Sequence, residues 1–153
     1  MKGRPLPRSV VVAAWILGGV NLYCLAPSVH VHDAGELTAA AWTLGLGHPP
    51  GAPLYMLLAK AFMSLVPYGN IAWRANLLSA VLAVALFLVL AWWAGRRGLS
   101  EFESIVLAAA VTLAPVVWSQ SVMAEVYTLQ ALLLALVLAG LDLRAPAGRI
   151  AML

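Results

Sequence analysis

Hydrophobic and polar positions alternate along this chain in blocks rather than in single steps. A run from Ser9 to about Ala26 is almost wholly apolar, and Lys2, Arg4 and Arg8 precede it. At about 18 residues and 1.5 Å per residue it gives roughly 27 Å of helix, close to the roughly 30 Å of a bilayer core. The same pattern suits the core of a signal peptide. No Ala-x-Ala-like site follows it, so a retained first membrane helix over 9–26 is the favoured reading. From His30 to Asn76 lies the longest interval between strongly apolar segments. Within it, Asp33 precedes an alanine-rich stretch that predicts a short helix over 34–46, stopped by Gly45, Gly47, Pro49 and Pro50. Pro53 suits the first turn of a second short helix over 53–66. Neither is long enough to cross a bilayer, so both are expected to lie at an interface. Further apolar runs over 71–94, 99–117 and 122–143 predict three more spans. They are separated by the Gly95-Arg-Arg-Gly loop and by a polar turn at Trp118-Ser-Gln-Ser.

Composition agrees with this pattern. Of the 153 residues, 63% are hydrophobic and 10% are charged, with a mean hydropathy of +0.94. Soluble domains carry roughly 25% charged residues. The expected fold class is therefore all-α: a polytopic membrane helix bundle of about four spans plus two interfacial helices. Cys24 is the single cysteine, which excludes an intrachain disulfide or a CxxC metal site, and it is expected to pack as a small apolar residue. The net charge of +3 comes from scattered residues without a basic, aromatic-interleaved run, which argues against a nucleic-acid partner. With a cytoplasmic N-terminus and four spans, Lys2, Arg4, Arg8, Arg96, Arg97, Arg144 and Arg149 share the cytoplasmic side. Only Lys60 and Arg74 fall opposite, which satisfies the positive-inside rule. The expected location is a bacterial inner membrane or an equivalent endomembrane. The His30–Asn76 stretch and the Trp118 turn then share the non-cytoplasmic face, where two polar loops can build one site. The chain ends soon after the fourth span, as an N-terminal piece of a longer protein would.

Several residues there carry chemistry. Asp33 and Glu36, at i and i+3, can serve as a general base or as a carboxylate partner for a metal. Helix capping and dipole complementarity predict the same pair and, on the pair alone, are preferred. His30, His32 and Asp33 can be read as a metal site, but solvated loop histidines are preferred; the acids permit a divalent metal without demanding one. His48 in His48-Pro-Pro-Gly can donate to a phosphate or sugar oxygen, or can simply belong to a stiff connector. Lys60 and Arg74 can pair with a lipid-linked phosphate or reach for lipid head groups. Arg74 is the stronger of the two, because guanidinium matches phosphate bidentately. Glu125, in the expected first turn of the fourth span with Tyr127 and Gln130 below it, either sits at the interface or carries polarity into the bundle.

Four motifs in order resemble a known family. They are Asp33-Ala-Gly-Glu36, Leu44 to Tyr55, Gly69-Asn-Ile-Ala-Trp-Arg-Ala-Asn-Leu-Leu-Ser-Ala80, and Trp118-Ser-Gln-Ser-Val-Met-Ala-Glu-Val-Tyr127. Together they resemble the N-terminal region of a membrane family first catalogued as a domain of unknown function. That family is grouped with the GT-C glycosyltransferases and includes a transmembrane protein O-mannosyltransferase of animals. The resemblance runs from about Pro27 to Leu143. It implies an inverting transferase that takes a sugar, such as mannose, from a polyprenyl-phosphate carrier to a protein or lipid hydroxyl at the non-cytoplasmic face. It implies Asp33 as general base, Glu36 as the second acid of the motif, and two interfacial helices in the first outer loop. His48, Lys60, Arg74, Glu125 and Tyr127 are the candidates for holding donor phosphate or substrate. Ala34 departs from the family's Ser or Cys. The family also has many more spans, so a chain of this length carries an incomplete donor groove. The alternative is a non-catalytic membrane subunit, or a lipid-binding or transport module.

Overall fold

The computed structural model describes residues 6–30, 33–49 and 51–144. Lys2, Arg4, His32, Pro50 and Arg149 lie outside the described residues, as does the side chain of Arg144. The described residues form seven helices: α1 (Arg8–Cys24), α2 (Ala34–Thr43), α3 (Pro53–Leu65), α4 (Ile71–Arg96), α5 (Glu101–Thr112), α6 (Pro115–Ser121) and α7 (Tyr127–Arg144).

Helix α4 is the axis on which the others pack; α1, α2, α3, α5, α6 and α7 all touch it. Asn70 caps its start, its side-chain oxygen accepting the Trp73 N–H at 2.8 Å. The N-terminal half of α4 shares one apolar cluster with α2, α3 and the start of α7, through Leu37, Tyr55, Met63, Leu78 and Leu129. Its C-terminal half shares a second with α1, α5 and the rest of α7, through Val10, Leu17, Leu86, Phe87 and Ala108. The two short helices have 10 and 13 residues, hence lengths of about 15 and 20 Å. Pro53 opens α3, and Leu44 ends α2 in the left-handed region at φ 54°.

The four-span expectation is met only in part. By length and composition, α4 alone among the described helices is long and apolar enough to cross a membrane. The expected span over 99–117 is instead two helices, α5 and α6, bent by 73°. Pro115 opens α6 and has no N–H to continue the ladder, so the break falls just ahead of it. The expected polar turn at Trp118 is helical, forming the end of α6. The fourth apolar helix starts at Tyr127 rather than 122. The reason is tertiary. Val122 O accepts the Ala26 N–H at 2.9 Å, the Ala124 N–H goes to Asn76 Oδ1 at 2.8 Å, and the Glu125 N–H goes to Ser79 Oγ at 3.3 Å. The Val122 carbonyl taken by Ala26 is not available to the N–H four residues on that a helix starting at 122 would need, while Asn76 and Ser79 hold the N–H groups of 124 and 125 in the irregular path. The first apolar helix covers Arg8–Cys24 rather than 9–26, and Cys24 at its end is exposed, not packed.

Candidate active site

The expected cap at the start of α2 does not form. Asp33 stands at the N-cap position, but its side chain makes no capping bond; only its backbone carbonyl does, accepting the Leu37 N–H at 2.8 Å. Glu36 does not reach back to complete a capping box. It turns instead to the loop that follows α2, where Oε1 accepts the His48 N–H at 2.6 Å and Oε2 lies 3.0 Å from His48 Nδ1. One carboxylate thus grips both the backbone and the ring of one histidine. The loop is stiffened by Pro49 and by a turn in which the Gly51 N–H donates to His48 O at 2.9 Å. The other ring nitrogen, Nε2, lies 3.7 Å from Asp33 Oδ2. All three side chains are about half exposed. The bond from the His48 backbone N–H, and then the ring contact, hold the Glu36 carboxyl below its ordinary value of 4.5.

Asp33, Glu36 and His48 therefore meet, although twelve residues separate the last two. Among the described residues, no group of three or more His, Cys, Asp or Glu is arranged to hold a metal ion. His30 is exposed.

The two cations on this face are both engaged with backbone. Lys60 Nζ donates to Trp42 O at 2.6 Å and lies 3.9 Å from the centre of the Trp42 ring. It thereby fastens α3 to the C-terminal end of α2, where helix carbonyls lack internal partners. Arg74 Nε is shared between Tyr68 O and Gly69 O, at 3.1 Å each, and Nη1 donates to Met63 O at 3.1 Å. It closes the end of α3 against the start of α4. Gly69 completes that turn at φ +76°, and a Cβ there would stand 2.5 Å from Trp73 Cε3.

Glu125 does not lie in the first turn of the last helix. It precedes α7 in the irregular segment and is 5% exposed. Tyr55 of α3 is 2% exposed; its hydroxyl makes no sound hydrogen bond, though Ser79 and Glu125 lie close enough to act on it. Burial, then the Glu125 charge, push that hydroxyl well above the ordinary tyrosine range. Tyr127 and Gln130 do not carry polarity into the bundle; both are exposed. Tyr127 lines an open cavity of about 430 Å³ between α6 and α7, with Val116, Val117, Gln120, Thr128 and Ala131.

The residue that joins these parts is Asn76, 1% exposed. Its Nδ2 donates to Ala26 O at 2.8 Å and Ser28 O at 3.0 Å, while Oδ1 accepts the Ala124 N–H at 2.8 Å. The chain leading to Asp33 and the chain leading to Glu125 are thus tied through one side chain, so these two segments meet. Asn21 repeats the device one helix away, accepting the Ser121 hydroxyl at 2.8 Å. Nothing in the block pattern of the sequence assigns Asn21, Asn76 or Ser79 a structural role of its own. The signal was present: amide and hydroxyl side chains inside strongly apolar runs require buried partners.

No solved structure matches the chain. Residues 33–144 match the family described as Protein O-mannosyl-transferase TMEM260 N-terminal domain. The chain is 36% identical over 107 residues to mouse Protein O-mannosyl-transferase TMEM260, a stretch covering 70% of this chain and 15% of that protein. It is 26% identical over 118 residues to the Dictyostelium discoideum protein of the same name, covering 73% of this chain and 14% of that one. The match begins at Asp33 and takes in the Glu36–His48 contact, the start of α4 with Asn70 and Asn76, and the Glu125 segment, so the chain belongs to the TMEM260 N-terminal domain family of protein O-mannosyl-transferases.

Proposed function

We propose that this chain is the N-terminal part of a membrane glycosyltransferase of the GT-C type, which moves mannose from a polyprenyl-phosphate carrier to a protein hydroxyl. In this reading α4 crosses the membrane, and the end bearing Arg8, Arg96 and Arg97 is cytoplasmic, as the positive-inside rule requires. Asp33 then faces the opposite side. Asp33 acts as general base: it takes the proton of the acceptor hydroxyl while that oxygen bonds to the anomeric carbon from the face opposite the phosphate. The bond from the anomeric carbon to the phosphate oxygen breaks, and the carrier leaves as its phosphate anion.

The observation that carries the reading is the state of Asp33. It begins the segment shared with named O-mannosyl-transferases, it is about half exposed, and its carboxylate takes no part in capping α2. A carboxylate held at a helix start yet left open on one side suits a base that must reach a hydroxyl. Arg74 and Lys60, bonded to carbonyls, serve in this reading to hold α2, α3 and α4 in register around Asp33.

The whole protein, in its membrane, is supplied with radiolabelled polyprenyl-phosphate mannose and a hydroxyl-bearing acceptor protein. Asp33→Asn, which keeps shape and loses basicity, is expected to reduce transfer by on the order of 100-fold or more. Undiminished transfer by that variant would sink the role of Asp33. Binding of the donor without transfer in any form of the protein would favour a lipid-binding module instead.

A further inference from the structure

The hydrogen on His48 can be located from its neighbours. Glu36 holds its carboxyl below the ordinary range, so at neutral pH it is an acceptor with both oxygens. A ring nitrogen 3.0 Å from such an oxygen must carry the hydrogen, since two lone pairs at that distance repel. Nδ1 is therefore the N–H of the neutral ring. Nε2 then carries the lone pair, and it is the nitrogen that faces Asp33 at 3.7 Å. That gap exceeds a hydrogen bond by less than 1 Å. A small rotation of the Asp33 side chain, or one bridging water, closes it. The loop itself is held, because Glu36 also grips the His48 backbone N–H. Among the described residues, the charged groups that contact the imidazole are Asp33 and Glu36, both from the start of α2. From α3, the residue that approaches the loop at Gly47 is the uncharged Met56.

We propose that His48, oriented by Glu36, draws the transferred proton away from Asp33 and so restores the base for the next turnover. The inference rests on Asp33 as the base. The proton of the acceptor hydroxyl passes to Asp33 Oδ2 as the glycosidic bond forms. It then passes from the Asp33 carboxyl to His48 Nε2, which regenerates the Asp33 carboxylate and leaves an imidazolium. Glu36 remains ionised and stabilises that cation through Nδ1–H. The imidazolium releases the proton to water from its exposed side, so no further reactant is needed. This makes His48 and Glu36 positioning residues that act through Asp33, and it separates them from any role in gripping the donor phosphate.

The test compares His48→Asn and Glu36→Gln with the native protein in the transfer assay. Asparagine places an amide N–H near the position of Nδ1, so it keeps the bond to Glu36 but cannot take a proton. The expected result is a kcat lower by about 10-fold or more, with KM for the polyprenyl-phosphate donor unchanged. Activity should recover when imidazole is supplied in solution, because it can take the proton from the half-exposed Asp33 in place of the ring, and the acid limb of the kcat–pH profile should change. Glu36→Gln, which can donate to Nδ1 and so frees the ring to adopt either tautomer, should lower kcat less and move the pH limb. A raised donor KM at unchanged kcat would overturn the proposal in favour of phosphate binding. Native kcat in both variants would also overturn it, while leaving Asp33 as base if Asp33→Asn is inactive. If His48→Asn does not fold, as judged by its melting midpoint, the Glu36→Gln pH profile decides alone: an unmoved limb refutes the relay.

Discussion

Replacing Asn76 by leucine tests the claim that one buried amide holds the outer face together. The two side chains share the same branched heavy-atom skeleton, with leucine the bulkier, so no cavity is created and the cost falls mainly on hydrogen bonding. Three bonds are lost. The Ala124 N–H, on a residue with 0% exposure, has no water to turn to, and an orphaned buried donor costs about 1–3 kcal/mol. The Ala26 carbonyl, on a residue 8% exposed, costs a similar amount. Ser28 is exposed, so its carbonyl returns to solvent at little cost. Burying leucine in place of the amide recovers about 1 kcal/mol, leaving a net loss of about 3 kcal/mol. At roughly 2–4 °C per kcal/mol for a chain of this size, the melting midpoint in detergent should fall by about 6–12 °C, followed by tryptophan fluorescence. The comparison is Asn70→Ala, which removes an exposed N-cap together with an exposed bond to Pro27 O and should cost about 1–2 kcal/mol. A midpoint for Asn76→Leu within 2 °C of native, or equal to that of Asn70→Ala, would refute the reasoning (tolerance taken from the same scaling). Asn76→Asp, which keeps the acceptor for the Ala124 N–H but sets an oxygen against the carbonyls of Ala26 and Ser28, should also lower the midpoint.

Two further outcomes follow from the same contacts. Gly69→Ala forces a Cβ to 2.5 Å from the Trp73 ring at φ +76°, so it should destabilise by about 1–3 kcal/mol and loosen the Arg74 closure, seen as faster proteolysis at the α3–α4 turn. The Glu36–His48 contact predicts an acid dependence: the Glu36 carboxyl is lowered from 4.5 in the folded chain, so the stability it contributes is complete above about pH 4.5 and is lost as pH falls through the lowered value. In Glu36→Gln that part of the acid limb of a pH-melting profile should vanish, and an identical limb in native and variant would contradict the assignment.

The elements legible in the sequence are those whose ends are written locally. The expected helices over 34–46, 53–66 and 71–94 appear as Ala34–Thr43, Pro53–Leu65 and Ile71–Arg96, because glycine, proline and an asparagine cap act within a turn of their own position. The start of α7 was not legible: what holds residues 122–126 out of the helix is hydrogen bonding to Ala26, Asn76 and Ser79, all from distant parts of the chain. The bend before Pro115 was half visible, since a proline near a helix end and a proline that splits a span read alike in one dimension. At the site, the acid pair stood out, but its use did not. Capping accounted for Glu36 within four residues, which concealed a partner twelve residues on. For the cations the reverse held. Their charge suggested a ligand, and their geometry shows them bonded to carbonyls of the fold.

The two ends of the bundle are fastened in different ways. At the outer end, Asn70, Asn76, Arg74 and Lys60 all hold main-chain atoms of their partners. At the inner end, Arg97 and Trp93 meet the side chain of Asp142, and Ser9 meets that of Glu101. A main-chain partner presents the same carbonyl whatever residue carries it. Pro27, Ala26 and Met63 can therefore be exchanged during divergence without undoing these fastenings, provided the gripping residue stays, whereas Trp42 also offers Lys60 its ring. The inner fastenings have no such latitude: a change at position 142 strands both Arg97 and Trp93 and calls for a compensating change in each. Substitution should accordingly proceed one position at a time around the site and in matched sets at the opposite end.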